Sequence, residues 1–188
     1  QDPFDWWKTV VKTTNQLIEE KNVDVSKIVA MVFAGQTLST VLMNKDGEPL
    51  MRSMIWMDAR AAPQAKKTMG GGLIKISGYN LFSLIRFLRI TGGGPGLAGK
   101  DVLPRILWVK ENMPDIYRET HKFLDSNGFM IYKATGKKVI GRFDAHLTGL
   151  MDTRPGKYYW SKTILNKYGI DEEKLPEIKL STDIAGRL

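Results

Sequence analysis

A run of apolar and β-branched residues at positions 27–34 constrains the fold of this chain most strongly. Its length and its end at Gly35 are typical of a buried strand. Residues 41–43 and 50–56 are two further predicted strands, and Asp46-Gly47 between them is a strong hairpin signal. The sequence therefore predicts a sheet with an edge at this hairpin.

Helical patterns surround these strands. Asp2 can cap a helix whose first position suits Pro3, and an apolar stripe predicts that this helix covers a core: Trp7, Val10, Val11, Leu17 and Ile18. Further predicted elements are helices at 81–90 and 104–111, a helix opened by Pro114, one apolar segment at 123–132, and a helix at 158–168 that starts on aromatic residues and ends at Gly169. Between them, the glycines at 70–72 predict a mobile boundary.

Composition bounds the class of protein. A chain of 188 residues with 43% hydrophobic residues fits one domain with a real core. The sequence has no apolar run of membrane-spanning length and no signal peptide at its start, so we expect a protein that is not exported and has no membrane partner. The absence of cysteine excludes disulfides, thiolate zinc sites and cysteine nucleophiles, and suits a cytoplasmic location.

The net charge of +8 raises the question of a polyanionic partner. The basic residues stand in short, scattered groups such as Lys66-Lys67 and Lys137-Lys138, and no basic helix face is interleaved with aromatic residues. We therefore expect no nucleic-acid partner. An excess of positive charge also suits a protein that handles phosphate esters.

Three catalytic patterns are incomplete. Residues 94–100 match the spacing of a phosphate-binding loop, but Asp101 stands where a Ser or Thr hydroxyl would hold magnesium, so we interpret the segment as a glycine-rich connection. His121 and His146 each stand alone, which favours structural roles and predicts no metal site. The nucleophile motif of Ser-His-Asp hydrolases, Gly-x-Ser-x-Gly, does not occur.

An ordered set of motifs resembles one known family. Residues 29–36, 41–50 and 55–60 are similar to the Gly-Gln loop, the hairpin and the Trp-x-Asp-x-Arg run of the FGGY carbohydrate kinases, and most similar to the xylulose-kinase branch. Later landmarks of the same domain resemble residues 107–117, 129–136, 169–171, 174–176 and 184–186. The resemblance covers most of the chain and is weakest between residues 61 and 101.

The resemblance implies an α/β, ribonuclease H-like domain of the kind shared with actin and hexokinase. On this interpretation residues 1–188 are a partial amino-terminal, sugar-binding domain, truncated at both ends, and the ATP-binding domain is absent. The implied reaction transfers the terminal phosphate of ATP, with Mg²⁺, to a hydroxyl of a ketopentose such as xylulose. The family's catalytic base lies beyond Leu188, so we expect the fragment to be inactive and to bind neither ATP nor Mg²⁺.

The same resemblance implies five substrate-binding residues: Gln36, Thr37, Trp56, Asp58 and Arg60. Their polar groups can orient sugar hydroxyls, and the Trp56 ring can lie against an apolar face of the sugar. The residues alone leave another interpretation open, in which Trp56 is core and Asp58 and Arg60 form a structural ion pair. Thr37 and Leu38 depart from the xylulose-kinase pattern, which leaves the identity of the sugar open.

Two other functions stay open as alternatives. One is a non-catalytic sugar-binding or scaffolding module on the same fold, and the other is a polyanion-binding domain that rests on the net charge. The absence of the family's first strands would leave a sheet edge bare, so we also expect self-association of the fragment, for example as a homodimer.

Overall fold

The computed structural model describes residues 1–187, in which helices alternate with short strands. The helices are α1 (Pro3–Lys21), α2 (Ala62–Met69), α3 (Leu81–Thr91), α4 (Val102–Asn112), α5 (Pro114–Glu119), α6 (Ser126–Thr135), α7 (Arg142–Leu147) and α8 (Lys162–Tyr168). The strands are β1 (Val41–Met43), β2 (Lys75–Ile76), β3 (Tyr79–Asn80), β4 (Lys122–Leu124), β5 (Val139–Gly141), β6 (Met151–Asp152), β7 (Tyr159–Trp160) and β8 (Glu177–Lys179). None of the helices in this part of the chain is both long and apolar enough to cross a bilayer.

The strands pair two by two. β1 lies antiparallel to β4, with Val41 opposite Leu124, and β5 lies parallel to β8. β2 with β3 and β6 with β7 form the two other antiparallel pairs. Because these pairs are short, helix packing supplies much of the hydrophobic core around them.

Strand β1 separates two hydrophobic clusters. Its side chains alternate between its two faces, as in any strand. Leu42 joins the larger cluster with Phe87 and Ile106, whereas Val41 and Met43 join the smaller one. All three β1 side chains are fully buried. Among the strands of residues 1–187, β1 is therefore the most deeply packed.

Helix α1 closes the smaller cluster from outside. It begins as predicted, with the Asp2 carboxylate accepting the Phe4 backbone N–H at 2.9 Å and Pro3 at the first helical position. The rings of Phe4 and Trp6 meet Phe129 edge to face, with centroids 6.2 and 6.5 Å apart.

The apolar stripe of α1 is covered only in its first half. Trp7 and Val10 pack against the smaller cluster, but the side chains of Val11 and Leu17 are 40% and 55% exposed. The prediction that the whole stripe covers a core is thus wrong for Val11 and Leu17, which are exposed to solvent.

The predicted buried strand at 27–34 is wrong. Lys27 ends a short 3-10 helix (Val25–Lys27), and residues 28–34 belong to no helix or strand and pair with no described strand. Val29 and Val32 are 96% and 89% exposed, and only Phe33 packs against the smaller cluster. An apolar pattern specifies a strand only where a neighbouring strand accepts its backbone hydrogen bonds, and here none does.

The predicted turn at 44–47 is confirmed. Gly47 has a φ of 87° and donates its N–H to the Asn44 carbonyl at 3.3 Å. The second strand predicted at 50–56 is wrong, since this part of the chain forms only two single bridges, Pro49 with Met43 and Met54 with Thr40. The Leu50 N–H donates to the Leu42 carbonyl, and the pairing of the two segments is interrupted after this bond. It resumes at Met54, which bridges Thr40.

The apolar segment predicted at 123–132 divides at Asp125. Strand β4 ends at Leu124, and the Asp125 carboxylate caps α6 by accepting the backbone N–H groups of Asn127 at 3.2 Å and Gly128 at 3.0 Å. Gly136 ends α6 in a left-handed conformation, as predicted.

The aromatic residues at 158–160 do not open a helix as predicted. Trp160 pairs with Met151 in the β6–β7 ladder, where its side chain is buried and its indole N–H donates to the Pro176 carbonyl at 2.8 Å. Ser161 caps α8 instead, and Gly169 ends that helix as predicted. Cross-strand pairing thus overrides the local aromatic pattern.

The glycine-rich segment at 94–100 connects two helices, α3 and α4. The Gly96 N–H donates to the Asp101 carboxylate at 2.8 Å, so a side chain of the protein takes the place that a phosphate would need. Gly99 has a φ of 72°, and a Cβ on it would lie 2.1 Å from the Ala62 nitrogen. This glycine is required for a close backbone approach to α2.

Candidate functional site

The five sugar-binding residues predicted from sequence lie in two loops. Gln36 and Thr37 precede β1, and Trp56, Asp58 and Arg60 follow the Met54 bridge to β1. Both loops therefore lie at the same end of β1, because Met54 bridges Thr40, the residue directly before β1, in an antiparallel sense. The sequence order alone does not reveal this proximity.

Gln36 and Thr37 differ in their surroundings. The Gln36 amide donates to the Gln1 side-chain oxygen at 2.8 Å, and its carbonyl accepts the Ser126 hydroxyl at 2.8 Å. Thr37 is exposed in a turn, and its side chain forms no hydrogen bond within residues 1–187. The backbone of this loop is thereby attached to the start of α6, while Thr37 stays accessible to solvent.

Gln36 lines an open cleft of about 350 Å³, which lies between α1, α6 and the segment that directly precedes Gln36. The aromatic side chains of Trp6 and Phe33 and the polar groups of Gln1 and Asn127 line the same cleft. The mixture of aromatic and amide groups is suited to a small polyhydroxylated ligand. None of the three predicted residues in the second loop reaches this cleft.

The second loop contains a half-exposed aromatic ring and an ion pair. The Trp56 side chain is 50% exposed, so the interpretation of Trp56 as core is wrong. Asp58 accepts from Arg60 Nε at 2.9 Å and pairs with the Arg60 terminal nitrogen at 2.8 Å. The Arg60 guanidinium in turn lies 5.0 Å from the centroid of the Trp108 ring on α4.

The electrostatics of Asp58 follow from this pairing. Partial burial, the largest single influence, acts to raise the pKa of Asp58, but the hydrogen bonds and charge of Arg60 together lower it below the ordinary value. Asp58 is consequently ionised at neutral pH. A carboxylate has about four acceptor sites, so the pair leaves Asp58 free to accept a further hydrogen bond from a ligand hydroxyl.

Arg105 on α4, which the sequence interpretation missed, joins the two loops. Its side chain is fully buried and donates to the carbonyls of Leu38 in the first loop and Ile55 in the second, the latter at 2.6 Å. The available signal was a single charged residue inside the apolar stretch at 102–109. Its partners, however, are main-chain carbonyls far away in sequence, which no local pattern indicates.

A buried acidic cluster lies behind the first loop. The Ser126 N–H donates to the Ser39 hydroxyl at 2.7 Å, next to Asp125. Burial and then the charge of Asp144 raise the pKa of Asp125 to about 6. Burial also raises the pKa of Asp144, which accepts from the Asn127 amide at 3.3 Å. This cluster fixes the loop from behind and does not face the open cleft.

The described part of the chain supplies no evident metal site. Within residues 1–187, no group of three or more His, Asp, Glu or Cys side chains is arranged to hold a metal ion. The glycine-rich segment at 94–100, whose Gly96 N–H is occupied by Asp101, likewise does not fit a nucleotide phosphate. We therefore name no ligand for Mg²⁺ or ATP among these residues.

The comparisons with known proteins point to one family. The family model described as the N-terminal domain of the FGGY family of carbohydrate kinases matches residues 1–188. Among curated proteins, a xylulose kinase of Bacillus subtilis is 26% identical over 188 residues, which are 100% of this chain and 35% of that protein. The chain therefore spans about a third of the length of the curated relatives it matches.

Solved structures show the same fold. A protein from Brucella ovis described as a xyloylose kinase superimposes with a TM-score of 0.83 at 24% identity, over 99% of this chain and 35% of that one. The glycerol kinase of Plasmodium falciparum with ADP superimposes with a TM-score of 0.79 at 19% identity, over 99% and 36%. These likenesses confirm the expected actin- and hexokinase-like α/β fold.

Proposed function

The chain belongs to the FGGY family of carbohydrate kinases, and from that premise we propose that it supplies the sugar-binding part of an ATP-dependent sugar kinase. In this proposal residues 1–188 are part of the amino-terminal domain, and the intact protein transfers the terminal phosphate of ATP to a sugar hydroxyl. The nucleotide, Mg²⁺ and the catalytic base belong to parts of the protein outside this chain. The favoured substrate is a ketopentose such as xylulose, because a curated relative at 26% identity is named xylulose kinase.

One observation carries the proposal for the site. Trp56 presents a half-exposed ring in the same loop as an Asp58 carboxylate that Arg60 holds in a fixed orientation. An exposed aromatic face and an oriented acceptor in one loop can bind the apolar and polar sides of a sugar. Phosphoryl transfer depends mainly on the position of the attacking hydroxyl, and these groups would supply that position.

The ion-pair interpretation and the sugar-site interpretation make different predictions. The Asp58 side chain is 18% exposed and that of Arg60 is 44% exposed, so removing Asp58 should cost on the order of 1 kcal/mol of stability. It should lower kcat/KM for the sugar about 10- to 100-fold, because a hydrogen bond to a charged group contributes about 1.5–3 kcal/mol. Asp115→Ala is the control for the loss of an ion pair outside the two loops, since Asp115 pairs with Arg118 within α5.

The test is a coupled ADP-release assay on the intact protein, with ketopentoses, aldoses, polyols and gluconate as substrates. Asp58→Ala and Trp56→Ala are compared with Asp115→Ala, and the 188-residue chain alone is expected to release no ADP. Normal kcat/KM in both loop variants would exclude the site. Sugar binding with no turnover of any substrate would favour the non-catalytic sugar-binding module instead.

A second candidate function rests on the surface around His121. Burial first, and then the charges of Lys138, Lys122 and two further lysines, lower the pKa of His121, which shows that lysines scattered in sequence converge here. Two of these lysines, Lys122 and Lys174, already donate their ammonium groups to main-chain carbonyls. A polyanion-binding role would give steeply salt-dependent binding to DNA or heparin. Binding that is absent or insensitive to salt would exclude it.

A further inference from the structure

The Arg105 side chain is the most buried charged group of the described chain, with 0% of its surface exposed. It points from α4 to the main chain of both candidate sugar loops. One terminal nitrogen donates to the Leu38 carbonyl, and the other donates to the Ile55 carbonyl at 2.6 Å and lies 3.4 Å from the Asp58 carbonyl. A longer contact of 3.5 Å reaches Met54.

No carboxylate in residues 1–187 forms a salt bridge with Arg105. The charges of Asp58 and Asp101 act on it from a distance, while burial is the largest influence and lowers its pKa. A guanidinium has only donors, and a buried cation without acceptors is strongly unfavourable. The loop carbonyls therefore supply the negative ends of dipoles that this buried charge requires. If either loop moved away, the charge would lose its partners, so the positions of the two loops are coupled.

The conformation of Leu38 is an independent sign of this coupling. Leu38 has a φ of 56°, a left-handed conformation that is uncommon for a branched residue without a stabilising contact. Its carbonyl is one of the two main acceptors of Arg105. Arg105 thus contacts Leu38, the residue with the strained backbone that directly follows Gln36 and Thr37.

We propose that Arg105 is a positioning residue of the sugar site, which fixes the Gln36–Thr37 loop and the Trp56–Arg60 loop at one relative distance. The inference rests on the proposed function for its effect on sugar binding, but its structural half does not. Asp58 is then held at both ends, with its carbonyl near Arg105 and its carboxylate bound by Arg60. Arg105 contacts no substrate in this scheme and takes no part in the chemical step.

The planar fork of arginine matters for this role. Its two terminal nitrogens reach two loops at once, whereas a lysine ammonium is a single point on a flexible stem. Arg105→Lys keeps the charge and most of the volume but can satisfy one loop only. It is therefore the informative variant. Arg105→Met, which removes the charge, is the second variant, and Arg89→Lys on the exposed side of α3 is the control.

The experiment combines hydrogen exchange with kinetics on the intact protein. The Asp58 amide, which donates to the Ile55 carbonyl at 2.8 Å, and the Thr40 amide, which donates to the Met54 carbonyl at 2.8 Å, report on the two loops. We expect Arg105→Lys to accelerate exchange at both amides at least about tenfold, while the α8 amides keep their rates. Sugar KM should rise at least about tenfold, with kcat changed less than about threefold.

Two results would overturn the inference. Unchanged exchange at Asp58 and Thr40 in Arg105→Lys would show that the loops do not depend on the guanidinium. Equal acceleration in the loops and in α8, in both variants, would show that Arg105 serves global stability alone. If the wild-type protein phosphorylates no sugar, the proposed function fails, but the exchange measurement still decides whether Arg105 couples the loops.

Discussion

Two apolar segments only a few residues apart in sequence differ strongly in burial in this protein. Residues 28–34 and strand β1 are both rich in valine, methionine and other apolar side chains. Val29 is 96% exposed, whereas Val41 is fully buried. The difference is the partner: β1 pairs with β4 and lies between two hydrophobic clusters, but no described strand lies beside residues 28–34. Composition selects segments able to form strands, and available neighbours decide which of them do so.

Hydrogen exchange should show the largest difference between these segments. The amides at 29–34 donate no backbone hydrogen bond in the described structure, whereas those of β1 lie in a buried ladder. We expect β1 amides to exchange about a thousandfold more slowly, since core amides open only with free energies near the global stability. The measurement is made on the 188-residue chain. Equal protection would break the comparison and support self-association through residues 28–34.

A matched pair of substitutions should show the next largest effect. Met43 is fully buried in β1, and Met31 is 49% exposed. Met43→Ala should lower the free energy of unfolding by about 2–5 kcal/mol, because it leaves a cavity in the smaller cluster. Met31→Ala should change it by less than about 0.5 kcal/mol. Urea denaturation of both variants tests this, and similar losses would mean that residues 28–34 are also packed.

The pH dependence of stability should show a smaller effect that only the buried region carries. The pKa of Asp125 is raised from 3.8 to about 6, so the folded state holds its proton when the unfolded state has lost it. Stability from this group is therefore fully present below pH 3.8 and is lost as pH rises through about 6.

Asp125→Asn removes this titration and keeps a side chain able to cap α6. Relative to wild type, its free energy of unfolding should rise by up to about 3 kcal/mol between pH 4 and pH 7. Asp115→Asn, on the exposed surface of α5, is the control for the change from Asp to Asn itself. A parallel pH profile for Asp125→Asn and wild type would contradict the raised pKa.

Sequence patterns predicted the local features of the fold well. The capped start of α1, the Asp46-Gly47 turn, the helices around 81–90 and 104–111, and the stop at Gly169 depend on neighbouring residues, and the structure confirms each of them. The failed strands at 27–34 and 50–56 depended on pairing with distant segments. Single-sequence patterns carry no information about such partners.

The candidate site shows the same limit. Trp56, Asp58 and Arg60 are close in sequence, and their motif could be identified directly. Arg105 could not, because the carbonyls it contacts lie 47 to 67 residues away and carry no side-chain identity. A sequence motif compares side chains only, so it does not detect a residue whose partners are main-chain carbonyls. The buried cap at Asp125 was missed for a related reason, since its apolar neighbours on both sides hide the break between β4 and α6.

Gly99 has a consequence for how such chains are compared across evolution. Its contact with the Ala62 nitrogen leaves no room for a Cβ, so every descendant that keeps this packing of the loop against α2 must keep glycine at this position. Selection for packing alone would therefore preserve part of a nucleotide-binding consensus. Pattern searches over such descendants would return matches to a phosphate-binding loop. These matches would reflect the close approach of two backbone segments and not the binding of a phosphate.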